Sequence, residues 1–319
     1  MLHVTNGDAA AEAIAGTGLA GDLLVWRDVL HEGPVPGGAS PTELREIRAG
    51  FLARCGWTER GAALADFAAR DARLAAAFAA GEEVALWFEE DLFDQLQLIQ
   101  VLDRAASGSA RSRLTAVPAD GYFGLMKSGD LVACWARAHA LGEAELEVGQ
   151  SAWAAFRAED PRALETLLAM GTAPLPALAR ALARFLEQFP GVTDGLSRSE
   201  RQALAALSGG PLPFEELFDR SQRGEPLRFL GDAVFRLYLD GLAAPPAPLV
   251  AATPDGEVWR LTDAGRRVLA GEADRLAIGR LDRWLGGVRL LSPDRIWRWD
   301  AAAGRLVPPR RSGTVTPSA

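Results

Sequence analysis

The stretch 85-ALWFEEDLFDQLQLIQVLD-103 decides the fold. Val84–Phe88 is an apolar run of strand length. From Leu92 onward, Leu92, Leu96, Ile99 and Leu102 recur at three-to-four spacing, which predicts an amphipathic helix over Leu92–Asp103. Between them stand Glu89, Glu90 and Asp91, with Asp94 inside the first helical turn. A strand passing straight into a helix is half of a βαβ unit.

The flanking sequence repeats the pattern. Met1–Thr5 reads as a first strand, closed by the turn signal Asn6-Gly7-Asp8 and followed by the short helical run AAAEAIAGTG. Asp22–Leu30 reads as a second strand and HEGPVPGGASP as a loop. PTELREIRAGFLARCGW and ERGAALADFAARDARLAAAFAAGEE read as two helices. Arg113–Val117 reads as a fourth strand, with the loop PADGYFGLM after it. Strands alternating with helices predict an α/β fold over residues 1–128, a Rossmann-like, mostly parallel sheet with helices on both faces. Residues 129–190 read as an all-helical extension. No internal repeat of fixed period is present.

The style changes near 190-PGVTDGLSRSE-200. Residues 195–319 carry 18 arginines against 15 acids, whereas residues 1–194 carry 16 basic and 27 acidic side chains. Ser197 with Glu200 three residues on forms a capping box at a helix start. PFEELFDR and PLRFLGDAVFRLYLDGLAA give two more helices. PLVAATPDGEVWRLT gives a hairpin around Pro-Asp-Gly, and DAGRRVLAG a closing helix. This order predicts a winged-helix-like α+β domain over 195–309, ending in short antiparallel strands. The polar 310–319 reads as a disordered tail.

Composition excludes several chemistries. A formal charge of −8 argues against general coating of nucleic acid. Cys55 and Cys134 are the only cysteines and lack CxxC spacing, so a disulfide framework and a thiolate zinc site are excluded. His3, His31 and His139 are the only histidines, and Lys127, the only lysine, lies in a loop-like KSGD. No run of about twenty apolar residues exists, and the start MLHVTNGD lacks a signal peptide's basic flank, so a cytoplasmic protein without membrane contact is expected.

In an open parallel sheet, ligands bind beyond the carboxyl ends of the strands. Each of the first three predicted strands ends in a polar cluster, so convergence there is expected. The first supplies Asn6, Gly7 and Asp8: a glycine that lets backbone N–H groups approach a phosphate, and an acid that reads either as a helix cap or as a ligand contact. The second supplies Arg27 and the loop His31-Glu32-Gly33-Pro34, where a histidine beside a glutamate suits a general base or an ordinary surface turn equally. Arg45 and Arg48, one helical turn apart, face either solvent or a bound anion. The third supplies Glu89, Glu90, Asp91, Asp94 and Gln95. A helix start accommodates Asp91 as N-cap and Asp94 beside it. Strand alternation sends Glu89 and Glu90 to opposite sides, so one of them faces the pocket. Asp8, Glu32, Glu89 and Asp91 together would suit a hard cation such as Mg²⁺, although neither a DxD nor a DxDxx[TV] arrangement is present.

HVTNGD, LLVWRDVLHEGPVP and ALWFEEDLFDQLQLIQVLD, taken together, resemble the three blocks of the uncharacterised bacterial family catalogued as domain of unknown function 1835, over about residues 1–140. The resemblance implies that Asn6, Asp8, Trp26, Arg27, Glu32, Gly33, Pro34, Asp91, Asp94 and Gln95 belong to the family pattern. It implies no activity, substrate or catalytic residue. The family's third block often reads Glu-His-Asp, whereas this chain has Glu89-Glu90-Asp91, which weakens acid–base schemes resting on position 90.

The expectation is a protein binding a small phosphate- or nucleotide-containing ligand at the sheet's carboxyl edge. As a hydrolase or transferase it would use Asp8, His31, Glu32, Glu89 and Asp91, with Asn6, Gly7, Arg27, Gly33, Asp94 and Gln95 as binding residues. The alternative is a non-enzymatic regulator or adaptor whose winged-helix-like domain contacts DNA or a protein partner. In that domain Asp232 and Asp240 offset Arg228 and Arg236, which favours a protein partner over DNA.

Overall fold

The computed structural model describes residues 1–107 and 113–309; the tail read over 310–319 lies outside the described residues. The chain divides into two compact units, residues 1–183 with 286–288, and residues 184–285 with the chain from 289 onward. Among the described residues no helix is long and apolar enough to cross a membrane.

The first unit is mixed α/β. In chain order it contains β1 (Leu2–Thr5), α1 (Asp8–Ala15), β2 (Asp22–Val25), β3 (Gly33–Pro34), α2 (Pro41–Arg54), α3 (Arg60–Ala79), β4 (Val84–Trp87) and α4 (Leu92–Ala106). Then follow β5 (Leu114–Ala116), a 3₁₀ turn at Phe123–Leu125, α5 (Ser128–Trp135), β6 (His139–Ala140), α6 (Glu143–Phe156) and α7 (Arg162–Met170). The boundary between the units falls within α8 (Leu178–Leu186).

A five-stranded sheet runs β2-β1-β4-β5-β6. The first four strands are parallel and the edge strand β6 is antiparallel to β5. β6 lies in the stretch read as wholly helical. Its two exposed residues have no apolar periodicity to betray it; only pairing of Ala140 with Thr115 and of His139 with Ala116 makes it a strand. The second strand stops at Val25, short of the predicted Leu30; the Trp26 N–H makes the last bond to β1, to the Thr5 carbonyl at 2.8 Å.

Alternation on β4 sorts the two faces of the sheet. Ala85 and Trp87 join Ala10 and Ile14 of α1, Leu131 and Cys134 of α5, and Phe123 in one core cluster. Val84 and Leu86, also buried, point the other way. Ser40 caps α2 through a capping box with Glu43, and α4 packs on α6.

The second unit contains α9 (Arg198–Ala206), β7 (Leu212–Pro213), α10 (Phe214–Ser221), α11 (Asp232–Ala243), β8 (Val250–Ala252), β9 (Val258–Leu261) and α12 (Asp263–Leu269). It closes with α13 (Arg275–Ile278), β10 (Asp282–Gly286) and β11 (Val288–Leu291), apart from Gly286 and Val288, and with β12 (Arg298–Asp300) and β13 (Arg305–Val307). The capping box expected at Ser197 and Glu200 opens α9. β7, β9 and β8 form an antiparallel sheet in that order. The turn between β8 and β9 is the Pro-Asp-Gly turn, with Gly256 at φ +74° donating its N–H to the Thr253 carbonyl at 2.8 Å. Glu200 and Arg275, both buried, form an ion pair inside this unit.

Candidate functional site

In the five-stranded sheet, β1 lies between β2 and β4. The chain leaves β1 towards one side and returns to β4 on the other, so the loops beyond these two strands diverge. In open α/β sheets, ligands bind beyond the carboxyl ends of strands whose loops diverge in this way. Asn6 follows β1 and Glu89 follows β4 by two residues.

Three carboxylates meet at this edge. Glu89, Asp91 and Asp94 each offer an oxygen within 4.8 Å of the others. Local structure positions each one. Asp91 is the N-cap of α4, its side chain accepting the N–H groups of Phe93 at 2.8 Å and Asp94 at 3.2 Å. Both bonds fall on Oδ1. Asp94 sits in the first turn of α4 and is 1% exposed. Glu89 shares the face of Trp87 by strand alternation, and its Oε1 accepts the main-chain N–H of Phe123 at 2.6 Å. Glu90 goes the opposite way, exposed, and meets Arg180 at 2.6 Å. Glu89 is thus the member of the pair that turns inward, towards Asp91 and Asp94.

Burial sets the electrostatics. Desolvation raises Glu89 to about 7, helped by the Asp91 charge and opposed by the Phe123 N–H. Desolvation raises Asp91 to about 6 against the N–H groups of Asp94 and Phe93. Asp94 is pushed well above the usual carboxylate range by burial, then by the charges of Asp91 and Glu89, with the Asn6 side chain and the Glu89 main chain pulling the other way. Asn6 lies close enough to exert that pull, yet neither Asp94 oxygen has a hydrogen-bond partner of ordinary geometry. Buried polar groups are normally satisfied, so this acid is unusual.

Two neighbours share that condition. Gln95, buried, donates its Nε2 to the Glu89 carbonyl at 2.7 Å while its Oε1 has no donor. The buried Thr5 hydroxyl at the end of β1 is also without a partner. Among the described residues no arginine or lysine forms an ion pair with Glu89, Asp91 or Asp94. A hard cation with oxygen ligands would answer all three acids, with the Asn6 amide beside them.

The remaining sequence-predicted residues lie outside this cluster. Asp8 is exposed and pairs with Arg27, which also reaches Asp66 at 3.1 Å. Gly7, at φ +69°, is the N-cap of α1 and makes no side-chain cap. His31 is fully buried with its ring 5.4 Å from that of Phe93. Glu32 is buried, and its carbonyl accepts from Arg48 at 2.7 Å. Gly33 lies at φ +77° with Phe51 so near that a Cβ would come within 2.6 Å.

The loop 28–35 is therefore built around Arg48, which the sequence reading placed at a solvated or anion-facing surface. Arg48 is 1% exposed, pairs with Asp28 at 2.7 Å, and donates to the carbonyls of Val29 and Glu32. Arg45 instead meets Asp71 at 3.0 Å. Neither the Arg48–Asp28 pair nor the Glu89–Phe123 contact is legible in the sequence, because the partners lie 20 and 34 residues apart.

A separate cavity of about 390 Å³ opens within the second unit, beside Phe189, Asp194, Arg198, Arg201 and Trp299. Its arginines are already paired, Arg198 with Glu187 and Arg201 with Asp194. Neither a protein-family model nor a curated protein matches this chain.

Proposed function

We propose that the protein binds a divalent cation through Glu89, Asp91 and Asp94, and through that cation a small phosphate- or nucleotide-containing ligand at the carboxyl edge of its parallel sheet. The observation that carries the reading is Asp94: a carboxyl group 1% exposed, without a hydrogen bond of ordinary geometry, within 4.8 Å of two further acids. Taking an unpaired charge out of water is costly, and a cation with oxygen ligands offsets it directly. Taken as doubly wound and Rossmann-like, the mostly parallel strand order points to the same edge for the ligand. The α1 start, with Gly7 and no side-chain cap, is the adjoining place for an anion.

The cation would supply Lewis-acid polarisation of a phosphoryl oxygen, the chemistry of a hydrolase or transferase. Asp91 and Asp94 hold it from a rigid helix start, and Glu89 from the strand end. Asn6, between β1 and α1, adjoins both the acids and the anion place. In this reading Asp8, His31 and Glu32 act on the surrounding loops and not on the reacting group.

Isothermal titration of the full chain with Mg²⁺ and Mn²⁺ at pH 8, for wild type and Asp94→Asn, tests the reading. Wild-type binding that Asp94→Asn loses supports it, followed by cation-dependent binding of inorganic phosphate or ADP. Absence of divalent-cation binding by the wild type would overturn it.

The element order of the second unit, α9-β7-α10-α11-β8-β9, supports a winged-helix-like reading and so the regulator alternative. Its α11 exposes Asp232 and Asp240. Arg236 lies 3.9 Å from the Phe214 ring centroid and donates to the Gly256 carbonyl at 3.1 Å. An arginine committed to internal packing does not read bases, so a protein partner fits this face better than duplex DNA. Fluorescence anisotropy with a DNA duplex at low salt separates the two, since binding to DNA would fall steeply with salt.

A further inference from the structure

Glu89 stands between a main-chain donor and two further acids. Its Oε1 takes the Phe123 N–H at 2.6 Å, while the Asp91 and Asp94 carboxylates converge with it within 4.8 Å. Phe123 anchors a short 3₁₀ turn closed by Leu125 N–H to the Tyr122 carbonyl at 2.9 Å and Met126 N–H to the Phe123 carbonyl at 3.1 Å. The Phe123 ring is fully buried, edge-on to Trp87 at 5.4 Å. The next residue, Gly124, lies across the start of α1: a Cβ there would stand 3.0 Å from the Ala9 Cβ and 3.3 Å from the Ala10 nitrogen. The turn therefore covers the helix start that adjoins the acids, and its outer residue Leu125 is 85% exposed.

We propose that Glu89 is at once a ligand of the cation and the latch of the 122–125 turn, so that loading the acid cluster closes the turn over the start of α1. The inference rests on the cation reading above. A cation drawn to the second oxygen fixes the carboxyl in the orientation that presents Oε1 to Phe123. With no cation, only the neighbouring carboxyls engage the second oxygen, and Glu89, the least buried of the three, turns away, so that the Phe123 N–H loses its acceptor. Asp91 is held by two α4 N–H groups and Asp94 by the helix itself, so Glu89 is the member free to swing. The consequence is ordered entry: a ligand reaches the α1 start through the open turn, and the cation secures it.

Hydrogen exchange by mass spectrometry on the full chain, with and without saturating Mg²⁺ at one fixed pH, tests the coupling. The peptide spanning residues 120–127 should slow by about tenfold on loading, while α3 changes little, because local opening and not global unfolding governs the turn. Asp94→Asn, which loses the cation without touching the Phe123 bond, should abolish the slowing. Glu89→Gln keeps an acceptor and loses the charge; at saturating Mn²⁺ its 120–127 exchange should stay near the cation-free rate. If titration shows that Mg²⁺ binds and exchange at 120–127 is unchanged, the latch is overturned and the cation site stands. If Mg²⁺ does not bind at all, the cation reading fails and the latch with it.

Discussion

The indole N–H of Trp87 donates to Nδ1 of His3 at 3.0 Å across neighbouring parallel strands, and the other ring nitrogen of His3 lies 3.3 Å from the Ala20 carbonyl. The pair fixes the tautomer: Nδ1 accepts and Nε2 carries the proton. Trp135 stacks on Trp87 at 5.9 Å, so the bond is sealed inside the core that carries Phe123. Replacing Trp87 by Phe leaves a buried acceptor unsatisfied and a gap beside Trp135. Urea denaturation should show a loss of about 2–4 kcal/mol.

The acid cluster and His3 respond to pH in opposite senses. Glu89, Asp91 and Asp94 are raised above their ordinary values, so the folded state keeps protons that the unfolded chain releases. Their stabilising contribution is whole below about pH 4 and is lost as pH rises through about 6 and 7. His3 is lowered by burial, so its contribution is whole above about pH 6.5 and falls as pH drops through its folded value. Thermal melts without divalent cation should therefore lose stability from pH 5 to pH 8, and saturating Mg²⁺ should restore it at pH 8. Asp94→Asn should melt higher than wild type at pH 8 without Mg²⁺ and gain nothing from the ion.

Asp8→Asn should leave Mg²⁺ affinity within about twofold, because an exposed acid paired with an exposed arginine contributes little. Asp91→Asn keeps an N-cap acceptor and loses a ligand charge, so it should weaken Mg²⁺ binding at least tenfold while costing under about 1 kcal/mol of stability. Equal losses in the two variants, measured by calorimetry, would relocate the site towards α1.

Arg48→Met strands the buried Asp28 and frees the carbonyls of Val29 and Glu32. Breaking one side of a buried pair typically costs about 3–5 kcal/mol. The double variant Arg48→Met with Asp28→Asn should recover part of that loss in chemical denaturation, and the shortfall measures what the loop carbonyls contribute.

Much of this was legible in the residues. Short apolar runs mark β1 and β4, buried at every residue, and apolar residues near period 3.6 mark α3 and α4, because such side chains must be buried whatever they pack against. Asp91 at the α4 start, the capping boxes at Ser40 and Ser197, and the Pro-Asp-Gly turn at Gly256 are local chemistry, closed within a few residues. Alternation alone sends Glu89 and Glu90 apart. Tertiary structure decided the rest. What holds Glu89 is the Phe123 N–H, a partnership across 34 residues that no local signal encodes. The burial that raises Asp94 comes from the elements packed over the start of α4. The same holds for Arg48, exposed by its helical spacing but buried by a loop folded back from residues 28–35. Short-range periodicity and capping are set by nearest neighbours along the chain, whereas charge, solvation and ligand geometry are set by whichever distant groups the fold brings alongside.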